Sequence, residues 1–366
     1  MGSDSKAGPQ AKAGIATISA YVPGKSGSKT GKVFKLSSNE SPFGPSPQAI
    51  SAYTEASGFG LSVYPDGQAK ILRSAIAQRY NLKIENIVCG GTGSDELLQL
   101  LAHAYLNKGD EAIYSQYGFL VYPIIIATND ARAVVAPERN FRTDVGEVLS
   151  RVTAATKMIY LANPNNPTGT YLTAAELRRL HQGLPSHVVL VLDGAYAEFV
   201  SADDYDAGIG LVESSSNVVM TRTFSKIYGL AGVRIGWAYC PPEIAEVLNR
   251  IRGPFNVSTP ALAAGTAAMQ DVEFIKRAAA HNDKWRAWLT QEIRQLGLEV
   301  TPSVANFILI HFGSSEKADA ADAYLTEHNI IARRVTAYGL PQALRLTVGS
   351  EEANLSVVAT LKEFMA

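Results

Sequence analysis

The composition is that of an ordinary globular protein and excludes several classes of function. The 366 residues are 46% hydrophobic and 18% charged, with a formal net charge of −1, so the chain lacks the broad basic field that would hold nucleic acid or an anionic membrane. A chain of this length is expected to divide into domains of about 100–200 residues. The six histidines are scattered and both cysteines end apolar runs, which predicts no metal site and buried free thiols in a reducing compartment.

The chain shows no pattern typical of export or membrane insertion. Its start, "MGSDSKAGPQAKAG", is small and polar without an apolar core, unlike a signal peptide. We interpret residues 1–13 as a flexible arm that is either native or an expression remnant. The most apolar stretch, "FLVYPIIIA" at 119–127, contains Pro123 and is too short to span a bilayer. These features predict a soluble, cytoplasmic protein.

Helices and strands alternate from about residue 69. Helical spacing in "AKILRSAIAQRY" places four apolar residues on one face: Ile71, Leu72, Ala75 and Ile76. The run "NIVCGG" is a predicted strand that stops at glycines, and "SDELLQLLAHAYLN" is a predicted helix with Ser94 as its N-cap. "DEAIYSQ" and "ARAVVAP" are predicted strands on either side of a helix that contains 119–127.

The alternation continues through residue 224. "KMIYLANP" is a predicted strand, and "TAAELRRLHQGL" is a predicted helix in which Thr173 and Glu176 have the spacing of a capping box. "HVVLVLDGAY" and "NVVMTRTF" complete the series. Because these strands are continuously apolar, they indicate an α/β fold with a mainly parallel sheet covered by helices on both faces.

The remaining chain predicts a smaller α+β domain. "PEIAEVLNRIR" and 272–296 are helical, and "NFILIHF", "IIARRV" and "ALRLTVG" are strands beside further helices near 320–328 and after Glu351. We therefore predict three parts. Residues 1–44 form an N-terminal arm and a segment that packs with the small domain, 45–257 form the large domain, and 258–366 form the small C-terminal domain.

Polar residues follow four of the apolar strand runs, at 90–95, 163–169, 193–196 and 221–226. In parallel α/β sheets, ligands bind at the carboxyl ends of the strands. We therefore expect these four loops to meet at one edge of the sheet. Each loop taken alone is compatible with a purely structural turn.

Two of these loops have features that favour a ligand. The glycines of "GGTGSDE" at 90–96 open a helix, whose backbone N–H groups and dipole favour a phosphate. Ser225 and Arg234 would complete such a phosphate site. The stretch "LANPNNPTG" at 161–169 holds three asparagines, more than a plain turn requires. A structural turn remains an equal interpretation for both stretches.

Asp193 and Lys226 are the candidate reactive groups. A carboxylate at the end of a buried strand is unfavourable without a partner, so Asp193 either caps a helix or holds a proton on a bound heterocycle that Tyr196 also reaches. An isolated lysine is most often solvated. Near a phosphate site and a buried carboxylate, however, Lys226 suits a Schiff base with pyridoxal phosphate. Tyr117 is either the aromatic cover of that ring or a core residue.

At this point the chain resembles the fold-type-I aminotransferases that depend on pyridoxal phosphate. The resemblance lies in blocks that follow in order over nearly the whole chain: "SSNESP", "YPDG", "GTGSDE", "YGF", "NPNNPTG", "DGAY", "TFSKIYGLAGVRIG" and "ALRLTVG". "AYVPGK", "SNESP" and "IIARRV" are similar to the histidinol-phosphate aminotransferase branch, which lies close to the aromatic amino-acid aminotransferases. The resemblance implies a homodimer with shared active sites.

The resemblance also implies a role for individual residues. Lys226 matches the Schiff-base lysine, Asp193 the residue on the pyridine nitrogen, and Tyr196 and Asn166 the partners of the phenolic oxygen. Tyr117 matches the ring-stacking aromatic. The remaining cofactor matches are six residues of the phosphate cup (Gly93, Ser94, Asp95, Thr223, Ser225 and Arg234) and Tyr64, which reaches the neighbouring subunit's cofactor phosphate. The substrate matches are Arg345, Arg333, Asn39 and Tyr21.

The chain departs from the family pattern in three places: Gly194 stands in place of a glutamate, Ser41 stands in place of an asparagine, and "GGTGSDE" is richer in glycine than many versions. The implied reaction moves an amino group between L-histidinol phosphate and 2-oxoglutarate, giving imidazole-acetol phosphate and glutamate. The alternatives are an aromatic amino-acid aminotransferase, a lyase or decarboxylase that uses the same cofactor, and a ligand-sensing module of a transcription regulator. The last requires a DNA-binding domain, for which the residues before "SNESP" are too few and too polar.

Overall fold

The computed structural model describes residues 8–19, 31–59 and 61–366. In these ranges the strands are β1 Phe34–Lys35, β2 Ile87–Gly93, β3 Glu111–Ser115, β4 Arg132–Ala136, β5 Glu138–Arg139, β6 Arg142–Thr143, β7 Thr156–Ala162, β8 Val189–Asp193, β9 Val218–Thr223, β10 Gly236–Tyr239, β11 Glu299–Thr301, β12 Phe307–His311, β13 Ile330–Ile331, β14 Arg333–Arg334 and β15 Ala343–Thr347.

The helices of the same ranges are α1 Pro47–Phe59, α2 Lys70–Tyr80, α3 Ser94–Tyr105, α4 Val121–Ala127, α5 Val145–Leu149, α6 Ala174–Gln182, α7 Ile209–Glu213, α8 Pro242–Ile251, α9 Thr259–Gln270, α10 Val272–Gln295, α11 Ser315–Glu327 and α12 Glu351–Met365. Short 3₁₀ turns lie at Ala13–Thr17, Ile84–Asn86, Ala197–Phe199, Ala231–Val233 and Thr336–Tyr338.

The larger sheet of the described residues has seven strands in the order β2-β10-β9-β8-β7-β3-β4. Strand β10 runs antiparallel to both of its neighbours, and the other neighbouring pairs are parallel. Leu190 and Leu192 of β8 pack in one hydrophobic core, whereas Val189 and Val191 pack in another. Successive strand residues point to opposite faces, so this sheet is covered on both sides and the predicted fold class is confirmed.

The second sheet has the order β11-β12-β15-β14 and is antiparallel throughout. It shares a third core with α10, α11 and α12. Strand β1 pairs with β13, and Leu36 packs in this same core. Residues 34–36 therefore lie with the second sheet.

Helix α9 packs against α1 and α2, and its Ala261, Ala264 and Ala268 belong to a core of the larger sheet. The domain boundary after residue 257 remains a prediction, but the helix that follows it packs with the larger sheet.

Two local expectations need correction. The capping box of Thr173 and Glu176 is confirmed, but Ser94 is the first residue of α3 and not its N-cap. The N-cap is Gly93, whose φ of 80° suits glycine and lets the chain turn sharply out of β2. Leu72, Ala75 and Ile76 are buried as predicted, whereas the side chain of Ile71 is 72% exposed.

Both cysteines are buried and free. Across 8–19, 31–59 and 61–366, no helix is long and apolar enough to span a membrane, and no His/Cys/Asp/Glu group of the same ranges has the arrangement of a metal site.

Candidate active site

A cavity of about 400 Å³ lies at the carboxyl edge of the larger sheet, where it meets the second sheet and residues 37–40. All of the predicted loops after β2, β7, β8 and β9 contribute to its walls. The predicted site residues that line it are Asn39, Gly93, Ser94, Asp95, Asn166, Asp193, Tyr196, Thr223, Ser225, Lys226, Arg234, Arg333 and Arg345. The convergence of four distant loops, expected from the strand pattern, is therefore present.

The Lys226 amine is partly buried and donates a hydrogen bond to the carbonyl oxygen of Ser38 at 3.0 Å. It lies 5.8 Å from the ring centroid of Tyr196. Burial is the main cause that lowers the pKa of this amine to about 8, and the positive charge of Arg345 adds to the effect. A larger fraction of this amine is therefore neutral near pH 7 than of an exposed lysine, which makes Lys226 a better nucleophile and base.

Asp193 ends β8 as a buried carboxylate with two side-chain donors. Its Oδ2 accepts from the Tyr122 hydroxyl at 2.9 Å, and its Oδ1 accepts from the Thr221 hydroxyl at 3.3 Å. Burial raises the pKa of Asp193 to about 6, and the negative charge of Asp95 acts in the same direction, while both hydrogen bonds lower it. The carboxylate is therefore held in place and is ready to accept a proton or a charged N–H group.

The Tyr196 hydroxyl lies beside Asn39 and is almost fully buried. Its oxygen accepts a hydrogen bond from Asn39 Nδ2 at 2.9 Å, and its ring makes an edge contact with Phe307 at 5.1 Å. Burial raises the pKa of Tyr196 above the ordinary phenol value. The group is thus a neutral phenol, able to donate its own hydrogen toward the cavity.

Arg234 provides a positive charge beside the start of α3. Arg234 Nη1 donates to Ser225 Oγ at 3.2 Å, and Nη2 donates to the carbonyl of Thr92 at 2.8 Å and lies 3.5 Å from Asp95. A Cβ on Gly93 would lie 3.0 Å from Nη2, so glycine leaves room for this guanidinium. Arg234, Ser225 and the first N–H groups of α3 together form an arrangement that suits a phosphate.

The second sheet supplies two further arginines. Arg345 is buried; it donates from Nη1 to Asn166 Oδ1 and from Nη2 to the carbonyl of Ser37 at 2.7 Å. Arg333 pairs with Arg345 in the register of β14 and β15, so both side chains leave the same face of the sheet. Two guanidinium groups on one wall suit a phosphate or a carboxylate.

Tyr117 and Tyr64 do not line this cavity, and Tyr64 was expected to reach the neighbouring subunit's site instead. Tyr117 packs near Phe141, at 5.8 Å between ring centroids. Tyr64 is 80% exposed and stacks on Phe255 at 4.5 Å. Tyr21 lies outside the described residues.

Phe119 is the aromatic residue of that loop which lines the cavity, two residues after Tyr117. Its ring makes an edge contact with Tyr122 at 5.9 Å. Tyr117, expected either to cover the bound ring or to be a core residue, does not line the cavity. The block "YGF" contains two aromatic residues, and its pattern alone does not say which of them faces the ligand.

The glycine at 194 has a local explanation. A Cβ at this position would lie 3.1 Å from the side chain of Arg222. Arg222 forms a buried ion pair with Glu198 at 2.9 Å. Glycine at position 194 therefore leaves room for the side chain of Arg222.

Six residues of the site were not predicted from the sequence. Four of them line the cavity: Ser38, Glu40, Phe119 and Tyr338. The other two, Tyr122 and Thr221, donate hydrogen bonds to Asp193. Tyr122 lies in the apolar stretch 119–127, whose pattern predicts a residue of the hydrophobic core. Thr221 was visible as a polar residue inside an apolar strand, and strand register alone places it beside Asp193.

Residues 31–361 match the family described as Aminotransferase class I and II. The chain belongs to this aminotransferase family. It is 55% identical over 361 residues to the histidinol-phosphate aminotransferase of Rhodopseudomonas palustris (strain TIE-1), covering 98% of each chain. It is 53% identical over 362 residues to the enzyme of the same name from Nitrobacter hamburgensis, covering 98% of this chain and 99% of the other.

A solved aminotransferase structure has the same architecture. The chain is similar to the histidinol-phosphate aminotransferase of Sinorhizobium meliloti in complex with pyridoxal-5'-phosphate, with a TM-score of 0.85, 30% identity and 91% of each chain covered. The fold-type-I architecture implied by the sequence blocks is thereby confirmed for this aminotransferase.

Proposed function

We propose that this aminotransferase uses pyridoxal phosphate to move the amino group of L-histidinol phosphate to 2-oxoglutarate, giving imidazole-acetol phosphate and glutamate. The observation that carries the proposal is one cavity lined by the Lys226 amine, the Asp193 carboxylate, the start of α3 and two arginines. The relatives at 53% and 55% identity are named histidinol-phosphate aminotransferases, which supports the same substrate.

The residues present fit the cofactor. Asn166 Oδ1 is occupied by Arg345 and the Tyr196 oxygen by Asn39, so the Asn166 amide N–H groups and the Tyr196 hydrogen remain for an acceptor in the cavity, within the part of the chain that the structure describes. The phenolic oxygen of pyridoxal phosphate is such an acceptor. Arg234, Ser225 and the α3 N–H groups would hold its phosphate, and Asp193 would accept the ring N–H.

When bound, pyridoxal phosphate supplies an aldehyde for amines and a ring that withdraws electrons from the substrate carbon. In this proposal Lys226 holds the cofactor at rest and afterwards moves the substrate's α-proton as a general base. Its pKa of about 8 suits this task near neutral pH. Asp193, with Tyr122 and Thr221 bonded to it, would keep the ring nitrogen protonated.

Arg345 and Arg333 would bind the anionic end of each substrate in turn. Histidinol phosphate presents a phosphate and 2-oxoglutarate a carboxylate, and a guanidinium pairs with either in a bidentate manner. Phe119 and Tyr338 line the same cavity and offer aromatic surface to an imidazole ring. The same surface favours the second candidate, an aromatic amino-acid aminotransferase.

A steady-state comparison of amino donors tests the substrate. We expect kcat/KM with histidinol phosphate to exceed that with tyrosine and phenylalanine when 2-oxoglutarate is the acceptor. Higher kcat/KM for either aromatic amino acid would favour the second candidate. Product analysis without 2-oxoglutarate is the control, because a lyase or decarboxylase turns over without an acceptor, whereas a transaminase stops after one half-reaction.

We further propose a homodimer with shared sites. Exposed apolar residues close together in the sequence support it: Leu61, Val63 and Tyr64 are 79%, 66% and 80% exposed, and Ile71 is also exposed. Exposed apolar patches of this kind mark protein contacts. In the dimer, Tyr64 would reach the phosphate bound by the partner subunit. A double variant, Leu61→Glu with Val63→Glu, is expected to sediment as a monomer and to lose activity, whereas the matched pair Leu61→Met with Val63→Ile remains dimeric.

We also propose a cytoplasmic location, which the two buried free thiols support. Subcellular fractionation of the native host tests it, and recovery in an oxidising compartment would contradict it.

A further inference from the structure

Thr347 of strand β15 connects to the cavity through a single amide. Thr347 is 2% exposed and is the second residue after Arg345 in the chain. Thr347 Oγ1 accepts the backbone N–H of Asn39 at 3.0 Å and donates to Asn39 Oδ1 at 3.2 Å. The other end of the same amide donates from Nδ2 to the Tyr196 oxygen at 2.9 Å. The backbone of Asn39 has a φ of 57°, a left-handed conformation that asparagine tolerates better than most residues.

The hydroxyl of Thr347 determines which way this amide faces. A buried hydroxyl has one hydrogen and needs an acceptor for it. Because Oγ1 already accepts from the Asn39 backbone, its hydrogen goes to Asn39 Oδ1, and the Nδ2 group is left facing Tyr196. With the amide reversed, the phenol would donate to Oδ1 and its hydrogen would no longer be available in the cavity.

The result is a directed series of hydrogen bonds from Thr347 to Asn39 to Tyr196. The Tyr196 oxygen accepts from Asn39 and keeps its own hydrogen for another group. Within residues 8–19, 31–59 and 61–366, the hydrogen bond of the Tyr196 hydroxyl is the one that it accepts from Asn39. Since Tyr196 lines the cavity, the series points its last hydrogen at whatever binds there.

We infer that Thr347 is a positioning residue that makes Tyr196 a hydrogen-bond donor toward the cavity, acting through Asn39. The inference rests on the proposed function, in which Tyr196 donates to the phenolic oxygen of pyridoxal phosphate. Thr347 touches neither substrate nor cofactor in this proposal. Its contribution is the orientation of one amide.

The inference predicts a spectroscopic change and not only a loss of activity. With the cofactor bound, a hydrogen bond from Tyr196 would stabilise the negative charge of the cofactor's phenolic oxygen and would thereby favour loss of a proton from the Lys226 nitrogen at lower pH. Loss of that donor therefore raises the pH at which the bound cofactor changes absorbance. The charged groups around Lys226 (Arg345, Glu40, Asp95 and Arg234) are retained in every variant described below.

The test is a spectrophotometric pH titration of the holoenzyme for wild type, Thr347→Val and Thr347→Ser. Valine removes the hydroxyl at similar volume, and serine keeps it. The midpoint is the pH at which half of the absorbance change has occurred. We expect it to rise by about one pH unit in Thr347→Val and to stay at the wild-type value in Thr347→Ser. Asn39→Gly removes the amide in the middle of the series, and glycine tolerates the positive φ of this position. We expect the same rise in this variant, which keeps the test valid if the valine variant fails to fold.

A double-mutant cycle separates this role from general destabilisation. Tyr196→Phe alone should raise the midpoint, and adding Thr347→Val to it should change nothing further, because the hydrogen that Thr347 directs is already gone. The inference is overturned if Thr347→Val leaves the midpoint unchanged, or if it shifts the midpoint equally in the wild-type and Tyr196→Phe backgrounds. Either result leaves the proposed function standing. A wild-type holoenzyme without a pH-dependent band overturns both.

Discussion

The larger and the second sheet contribute to the same cavity by different means. The carboxyl edge of the larger sheet brings Asp193 and Lys226, which follow continuously apolar strands. The second sheet brings Arg345, Arg333 and Thr347 on short antiparallel strands; Arg345 bonds Asn166 of the loop after β7, and Thr347 bonds Asn39. Reactive groups thus come from one sheet, whereas the other supplies arginines for an anion and a threonine that bonds Asn39. The two sheets should therefore respond differently to mutation.

Removal of the Lys226 amine should have the largest effect. Lys226→Ala is expected to lower kcat by about 10³-fold or more, because both the cofactor attachment and the base are lost. The absorbance of the lysine-bound cofactor should disappear, while the unfolding temperature of the cofactor-free protein stays close to wild type. Lys226→Arg, which keeps the charge, is the matched control and should be equally inactive. Normal turnover of either variant would remove Lys226 from the proposed mechanism.

Asp193→Asn should lower kcat by about 10²- to 10⁴-fold, because the ring nitrogen loses its anionic partner.

The same substitution should increase the free energy of unfolding of the cofactor-free protein near neutral pH. Burial raises the pKa of Asp193 from 3.8 to about 6, so the stabilisation from its protonated form is fully present below 3.8 and is lost as the pH rises through about 6. The cofactor-free variant lacks this loss and should be more stable than wild type above pH 6, by up to about 3 kcal/mol.

Denaturant unfolding of the cofactor-free proteins at pH 4 and pH 7 measures this difference. Thr221→Val is a useful comparison, since it removes one donor to the carboxylate and should raise the pKa of Asp193 further. Equal stability of wild type and Asp193→Asn at pH 7 would contradict the account of this buried carboxylate.

Substitution of the second-sheet arginines should mainly weaken substrate binding. Arg345→Lys is expected to lower kcat/KM by about 10- to 100-fold, because lysine keeps the charge but loses the forked geometry and the bond to Asn166. Arg333→Lys is the matched variant on the neighbouring strand. It should act chiefly on KM and have the smaller effect, because Arg333 is less buried than Arg345. An unaltered kcat/KM in Arg345→Lys would exclude its role at the substrate anion.

The smallest effect is expected at the two aromatic residues after β3. Phe119→Leu should weaken cofactor binding several-fold, since stacking and edge contacts of an aromatic ring contribute about 0.5–1.5 kcal/mol. Tyr117→Leu should lower the unfolding temperature and leave the cofactor dissociation constant unchanged. Fluorescence titration of the cofactor-free proteins measures both constants. A larger increase of the cofactor dissociation constant in Tyr117→Leu than in Phe119→Leu would indicate that Tyr117 covers the ring.

Much of the larger-sheet wall could be predicted from the sequence, because apolar strand runs ending in polar residues locate a ligand-binding edge. Asp193 and Lys226 were found in this way. Tyr122 and Phe119 could not be assigned, since an apolar stretch does not show which of its rings faces a cavity. Thr347 could not be found either: its contact with Asn39 joins residues 308 apart in the chain, and no local pattern encodes that distance.

The central claim is that the Lys226 amine bonds the cofactor aldehyde. Borohydride reduction of the holoenzyme, followed by peptide mass spectrometry, tests it most directly, because reduction makes that bond permanent. The account predicts one modified peptide, with the added pyridoxyl phosphate mass on Lys226. Modification of a different lysine, or no modified peptide from a holoenzyme that retains its absorbance, would contradict it.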